Sequence, residues 1–214
     1  ITTETDTWLK RLTARIGEPV IRSAVMQAMR IMGGQYVLGR SIQEGIKQGI
    51  KHNGPKAKFS FDMLGEGART EADAKAYFQA YSSAIEQIGI SKEGSPESIN
   101  HADGISVKLS ALHSRYYFAQ YQRVMDELLP RIKALCLQAK KHNIGLSIDA
   151  EESYRLDISL SIFEALASDF DLEGWQGLGF VLQAYHSAFI TPDYPQNNPI
   201  ASHEYFLLST NSTF

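Results

Sequence analysis

Four short apolar runs, each closing on polar residues, set the organisation of this chain. Residues 58–61 lead into Asp62, with Glu66 just beyond. Residues 105–109 carry Lys108 inside the run. Residues 144–148 close on Asp149, followed by Glu151 and Glu152, and residues 178–182 close on Gln183 and Tyr185. Runs of this length read as buried strands. The markers Phe59, Ile105, Leu146 and Phe180 stand 46, 41 and 34 residues apart, room for a strand, a helix and two loops in each step. Helical periods fill the gaps. Tyr77, Tyr81, Ala84, Ile85 and Ile88 share one face, opened by a capping box at Thr70–Asp73 and closed by Gly89. Residues 116–142 repeat Val124, Leu128, Leu129, Ile132 and Leu135, with Pro130 expected to kink or split the helix. Leu156, Ile158, Leu160, Ile162, Phe163 and Leu166 form a third such pattern. Strands alternating with helices predict βαβ units and a parallel sheet. The fold class is α/β: a partial (β/α)8 TIM-like barrel of about four βα units, preceded by a helical extension.

The pattern divides the chain in three. Residues 1–55 form the helical extension. Pro19 is placed to start a helix, Gly33-Gly34 to stop it, and Tyr36, Leu38, Ile42, Ile46 and Ile50 to make a second, glycine-interrupted one. Residues 56–185 hold the first half of the barrel. Residues 186–214 change character: all 21 Lys and Arg lie earlier, three of the seven prolines fall here, and Asn197-Asn198 and residues 209–213 read as turns. This is expected to be an irregular tail. A complete eight-stranded barrel takes roughly 200 to 250 residues, so the expectation is a barrel truncated after its fourth strand, with an open strand edge.

Composition changes this picture little. The 214 residues are 43% hydrophobic and 21% charged, the balance of a globular protein. A net charge of −3 shows no nucleic-acid footprint. The one cysteine, Cys136, lies in a helical stretch, which excludes a disulfide framework and fits a reducing cytoplasm. No run approaches the roughly 18 apolar residues of a membrane span. The tyrosines at helical spacing read as core, not as a base-stacking platform.

The chemistry concentrates where the runs end. Parallel α/β sheets place their sites at the C-terminal ends of strands, and Asp62, Lys108, Asp149 and Gln183 fall at those ends. An ammonium within a buried run needs negative partners. Such a lysine can hold a substrate carboxylate or the polar edge of a flavin, or it can belong to a salt-bridge layer that closes the barrel end. A second reading takes Asp62, Glu66, Asp149, Glu151 and Glu152 as oxygen ligands for Mg²⁺ in a barrel lyase or isomerase. The lysine in the same ring argues against a transition-metal site. No GxGxxG follows a strand, and no GxxxxGK[ST] or GxSxG is present.

Five stretches together carry a resemblance: AMRIMGGQYVLGR (28–40), FSFDMLGEGART (59–70), GISVKLSALHSRY (104–116), LSIDAEESYRL (146–156) and GLGFVLQAY (177–185). In this order, over roughly residues 5–185, they resemble the proline dehydrogenase domain of the bacterial bifunctional proline utilisation A flavoenzymes. The resemblance implies an FAD-binding (βα)8 barrel that oxidises L-proline to Δ1-pyrroline-5-carboxylate and passes electrons to a membrane quinone. It implies that Lys108 helps hold the proline carboxylate and lies by the cofactor, that Asp149 is an active-site aspartate, that Gln183 contacts the flavin ring, and that Glu66 pairs with a substrate-binding arginine and gates the site. It also implies a cytoplasmic protein, peripheral to the inner membrane when it reduces quinone, and self-association into a homo-oligomer. Residues 186–214 match none of the family's later motifs. The remaining strands, two substrate arginines, the aldehyde dehydrogenase domain and the N-terminal DNA-binding domain are expected to be missing. A non-catalytic remnant or assembly piece is the alternative reading.

Overall fold

The structure, a computed structural model, describes residues 4–65, 67–91, 99 and 102–182, with side chains from Glu18 onward except Gln35. It divides into two compact units, Ile1–Pro55 and Lys56–Phe214.

In the first unit α1 (Glu4–Tyr36) and α2 (Ile42–Asn53) follow one another. Two expectations fail here. Pro19 lies inside α1, and the helix continues through Gly33-Gly34 to Tyr36. Proline removes one amide donor and glycine costs about 1 kcal/mol in a helix interior, and a helix of 33 residues outlasts both. α2 starts later than the apolar period suggested, because Ser41 caps it. The Ser41 hydroxyl accepts from the Glu44 amide at 3.2 Å, and the Glu44 carboxylate accepts from the Arg40 amide at 2.9 Å.

The second unit is a four-stranded sheet, all parallel, in the spatial order β1 (Ser60–Asp62), β2 (Gly104–Lys108), β3 (Gly145–Ala150) and β4 (Leu178–Leu182). Spatial order equals chain order. Each crossover therefore steps the same way, and right-handed crossovers then put every helix on one face. Singly wound sheets of this kind build (β/α)8 barrels, whereas doubly wound folds reverse their order at a switch point.

Register separates the two faces. Phe61, Ile105 and Leu146 lie abreast, as do Val107, Ile148 and Phe180. These rows are apolar and buried against the helices; Phe180, for example, stacks tilted on Phe163 at 5.2 Å. The alternate rows are mostly small or polar: Asp62, Ser106, Ser147 and Gly179, then Lys108 and Asp149 with Val181 beside them. Successive side chains of a strand point to opposite faces, so these rows line the face away from the helices. A Cβ at Gly179 would sit 2.7 Å from Ser147 Oγ, so a larger residue there would require that hydroxyl to turn away.

The helix layer comprises α3 (Glu71–Ile90), α4 (Leu109–Leu112), α5 (Tyr121–His142) and α6 (Leu156–Ala167). The capping box forms as expected: Thr70 Oγ1 accepts from the Asp73 amide at 3.1 Å, and Asp73 accepts from the Thr70 amide at 2.8 Å. Tyr81, Ala84, Ile85 and Ile88 of α3 are core. They meet α5, whose Val124, Leu128, Ile132, Leu135, Cys136 and Ala139 are buried. Burial pushes the Cys136 thiol up to about 12, so it is a packing group and not a nucleophile. Pro130 does not split α5. It lies on the exposed side, where water can take the carbonyl it leaves unpaired. The helix begins at Tyr121, after a 3₁₀ turn at Phe118–Gln120, and the short α4 directly after Lys108 was not foreseen.

Truncating Ile132 to Ala should lower the stability of the folded chain by about 2–5 kcal/mol, as for a fully buried aliphatic side chain, and Thr70→Ala by about 1 kcal/mol. Urea unfolding followed by circular dichroism measures both; equal effects would contradict the core described here.

Candidate active site

β2 ends on Lys108, whose side chain is 4% exposed. Three carboxylates reach it from the ends of neighbouring strands. Asp149, its register partner on β3, lies 2.9 Å from Nζ through Oδ2. Glu151, two residues on, lies at 3.1 Å. Asp62, at the end of β1, offers both oxygens at 3.2 Å. Burial alone would push the ammonium toward neutrality. The bond and charge of Asp149, joined by Glu151 and Asp62, outweigh burial and hold its pKa above the ordinary 10.5. Beneath the cluster, the Lys108 amide donates to Tyr81 Oη at 3.3 Å. Burial pushes that phenol up to about 12, so it stays neutral.

The geometry constrains what this cluster can do. An ammonium has three protons, and three carboxylates face them. A ligand acceptor must therefore displace one carboxylate. Asp62 is the one placed to yield: it is 48% exposed, against 11% for Asp149 and 29% for Glu151. Asp149 Oδ1 is buried and accepts no hydrogen bond among the described residues. A donor-seeking oxygen thus lies beside a donor, a pairing that suits a ligand edge with alternating acceptors and donors. Formally, three negative charges surround one positive charge, so the cluster also suits a cationic ligand atom.

Of the sequence-expected residues, the structure brings together Lys108, Asp149 and Asp62, and adds Glu151, which had been weighed only as a metal ligand. Its position two residues after Asp149 was the available signal, since side chains two apart share a face. Glu152 does not join; it pairs with Arg155. The oxygen cluster that might have held Mg²⁺ is filled by the lysine ammonium, and no group of three or more metal-ligating side chains occurs among the described residues. Glu66, Gln183 and the tail 186–214 lie outside the described residues. His113 was missed: it is buried, accepts the Arg115 amide on Nδ1 at 3.1 Å, and meets Glu127 through Nε2 at 3.1 Å.

Four singly wound parallel βα units with a lysine–carboxylate cluster at the strand C-termini form part of a β/α barrel, with charged groups at the end where that fold places its sites. The family model for proline dehydrogenase matches residues 46–191, and that for the DNA-binding domain of proline dehydrogenase matches residues 1–36. The bifunctional protein PutA of Escherichia coli is 50% identical over 177 residues, covering 83% of this chain and 13% of the relative; that of Rhizobium meliloti is 50% identical over 175 residues, covering 82% and 14%. Among solved structures, Bradyrhizobium japonicum proline utilization A matches with a TM-score of 0.64 at 48% identity over 84% of this chain and 18% of that one. The Bdellovibrio bacteriovorus protein, inactivated by N-propargylglycine, shares the fold with a TM-score of 0.71 at 20% identity, covering 80% and 19%. The chain belongs to the proline dehydrogenase family. It spans 13–14% of the length of these curated relatives. One expectation is corrected: the DNA-binding domain is not wholly missing, since its model matches residues 1–36.

Lys108→Met should remove a stabilising contribution that wild type carries at neutral pH. Because the folded-state pKa is raised, that contribution is complete below 10.5 and is lost as pH rises above it. The stability difference between wild type and variant, from urea titrations at pH 7 to 11.5, should therefore shrink at the alkaline end. A constant difference would contradict the ion cluster.

Proposed function

We propose that this chain carries part of the active site of an FAD-dependent proline dehydrogenase, which oxidises L-proline to Δ1-pyrroline-5-carboxylate. The observation that supports it most directly is the buried Lys108 among Asp62, Asp149 and Glu151 at the strand C-termini. Lys108 holds the substrate carboxylate after Asp62 yields. Asp149 orients the ammonium and keeps it charged, so a fixed positive charge meets the ligand without reorganisation. The negative balance of the cluster favours the cationic ring nitrogen of an amino acid.

The donor set also fits a flavin edge, through Lys108 and the unfilled acceptor Asp149 Oδ1, and the family resemblance adds Gln183. A bound FAD would supply the hydride acceptor for oxidation at the ring carbon next to nitrogen. The family resemblance also gives Glu66 a gating role, through a pair with a substrate-binding arginine. Electrons pass on to a quinone at the membrane surface, which would make the protein cytoplasmic and peripheral to the inner membrane; no described helix is long and apolar enough to cross one. Association into a homo-oligomer belongs to the same reading.

The 214 residues alone are proposed to be inactive. Among the described residues the sheet has four strands, with β1 and β4 at its edges, so a flavin resting on further strands would find half its cradle. Equilibrium dialysis of the purified chain against FAD should show no retained flavin, and proline-dependent dye reduction should be absent; retained flavin with turnover would overturn the inactivity. In a full-length relative, the equivalent of Lys108→Ala should raise KM for proline about tenfold or more, as for loss of a charge-assisted hydrogen bond. An unchanged KM would remove the role given to Lys108.

A further inference from the structure

A cavity that shares no lining residue with the Lys108 cluster opens among the loops that follow β1, α4 and β3. Its volume is about 360 Å³. Three arginines line it, and they come from three separate segments: Arg69 ahead of α3, Arg115 after α4, and Arg155 at the start of α6. Hydroxyl-bearing Ser110 and Ser114 and the rings of Tyr116 and Tyr117 complete the wall.

These cations differ in how they are held. The Arg155 side chain is 12% exposed and pairs with Glu152. Its guanidinium lies 5.2, 5.1 and 5.0 Å from the ring centres of Tyr116, Tyr117 and Tyr154, which fixes its plane. Its Nε is buried with no acceptor among the described residues. Tyr116 is itself tied by its hydroxyl to Ser159 at 2.6 Å. Arg115 is fixed through its backbone, which donates to buried His113. Among the described residues no carboxylate forms an ion pair with the Arg69 or Arg115 side chain. Three like charges around one opening repel one another unless an anion joins them. Counting ion pairs alone, Glu152 offsets one and leaves a formal excess of two, which the field of Asp73 on Arg69 reduces.

We propose that this cavity binds a small soluble molecule bearing a phosphate group. A dianion matches the excess charge. Planar guanidinium forks match paired phosphate oxygens, and the volume suits a compact ligand. Nothing in the proline reading requires this site, so the two stand or fall separately.

Equilibrium dialysis of the full chain against inorganic phosphate tests it, with ionic strength held constant by NaCl. One phosphate should bind saturably per chain. Arg115→Gln and Arg69→Gln, both exposed positions, should each weaken binding about tenfold or more, while Lys75→Gln on the exposed side of α3 leaves it unchanged. Circular dichroism confirms that each variant is folded. Non-saturable uptake, an adventitious response equal in all variants, or no binding at all would overturn the proposal.

Discussion

The structure of the sheet end depends on one buried charge. Lys108 closes a strand whose other residues are apolar or small, and a lone ammonium there would cost several kcal/mol. Three carboxylates from β1, β3 and the turn after β3 remove that penalty. They can do so only if the strands run parallel, lie in chain order and keep the register that sets Lys108 beside Asp149. The ion cluster and the topology therefore specify one another. A slip of one residue would turn the lysine into the apolar helix layer, where no carboxylate among the described residues of the cluster could follow it.

That coupling explains what was legible in the sequence. Apolar runs ending in polar residues showed the strands and the residues at the rim, because a buried sheet face requires the first and a site at the strand ends requires the second. The capping box at Thr70 was readable because its chemistry is local. What escaped depends on tertiary context. Pro130 sits unbroken within α5 because its side of the helix faces water. Pro19 and the paired glycines are carried through α1 by the length of the helix around them. The role of Glu151 and the burial of His113 arise from neighbours distant in sequence, which periodicity does not report.

The two charged clusters of the loop face differ in sign. At one, negative groups outnumber the single cation they surround. At the other, cations outnumber the acid beside them. Both are held by groups with little freedom: Lys108 by its strand, Arg155 by three aromatic rings. Fixed charges of this kind act on a ligand without first having to be ordered, so little conformational entropy opposes binding.

At the opposite end of the sheet the contact is steric. Gly89, near the end of α3, lies against the His142 ring at the end of α5, and any Cβ at Gly89 would enter that ring. The two helices can approach there only because a side chain is missing. In evolutionary terms this divides the molecule. The lower end tolerates almost no change at that point, while the loops of the upper end, carrying their charges on separate segments, can diverge one at a time. A substitution in one of those upper loops leaves the joint below untouched, because the two lie at opposite ends of the sheet.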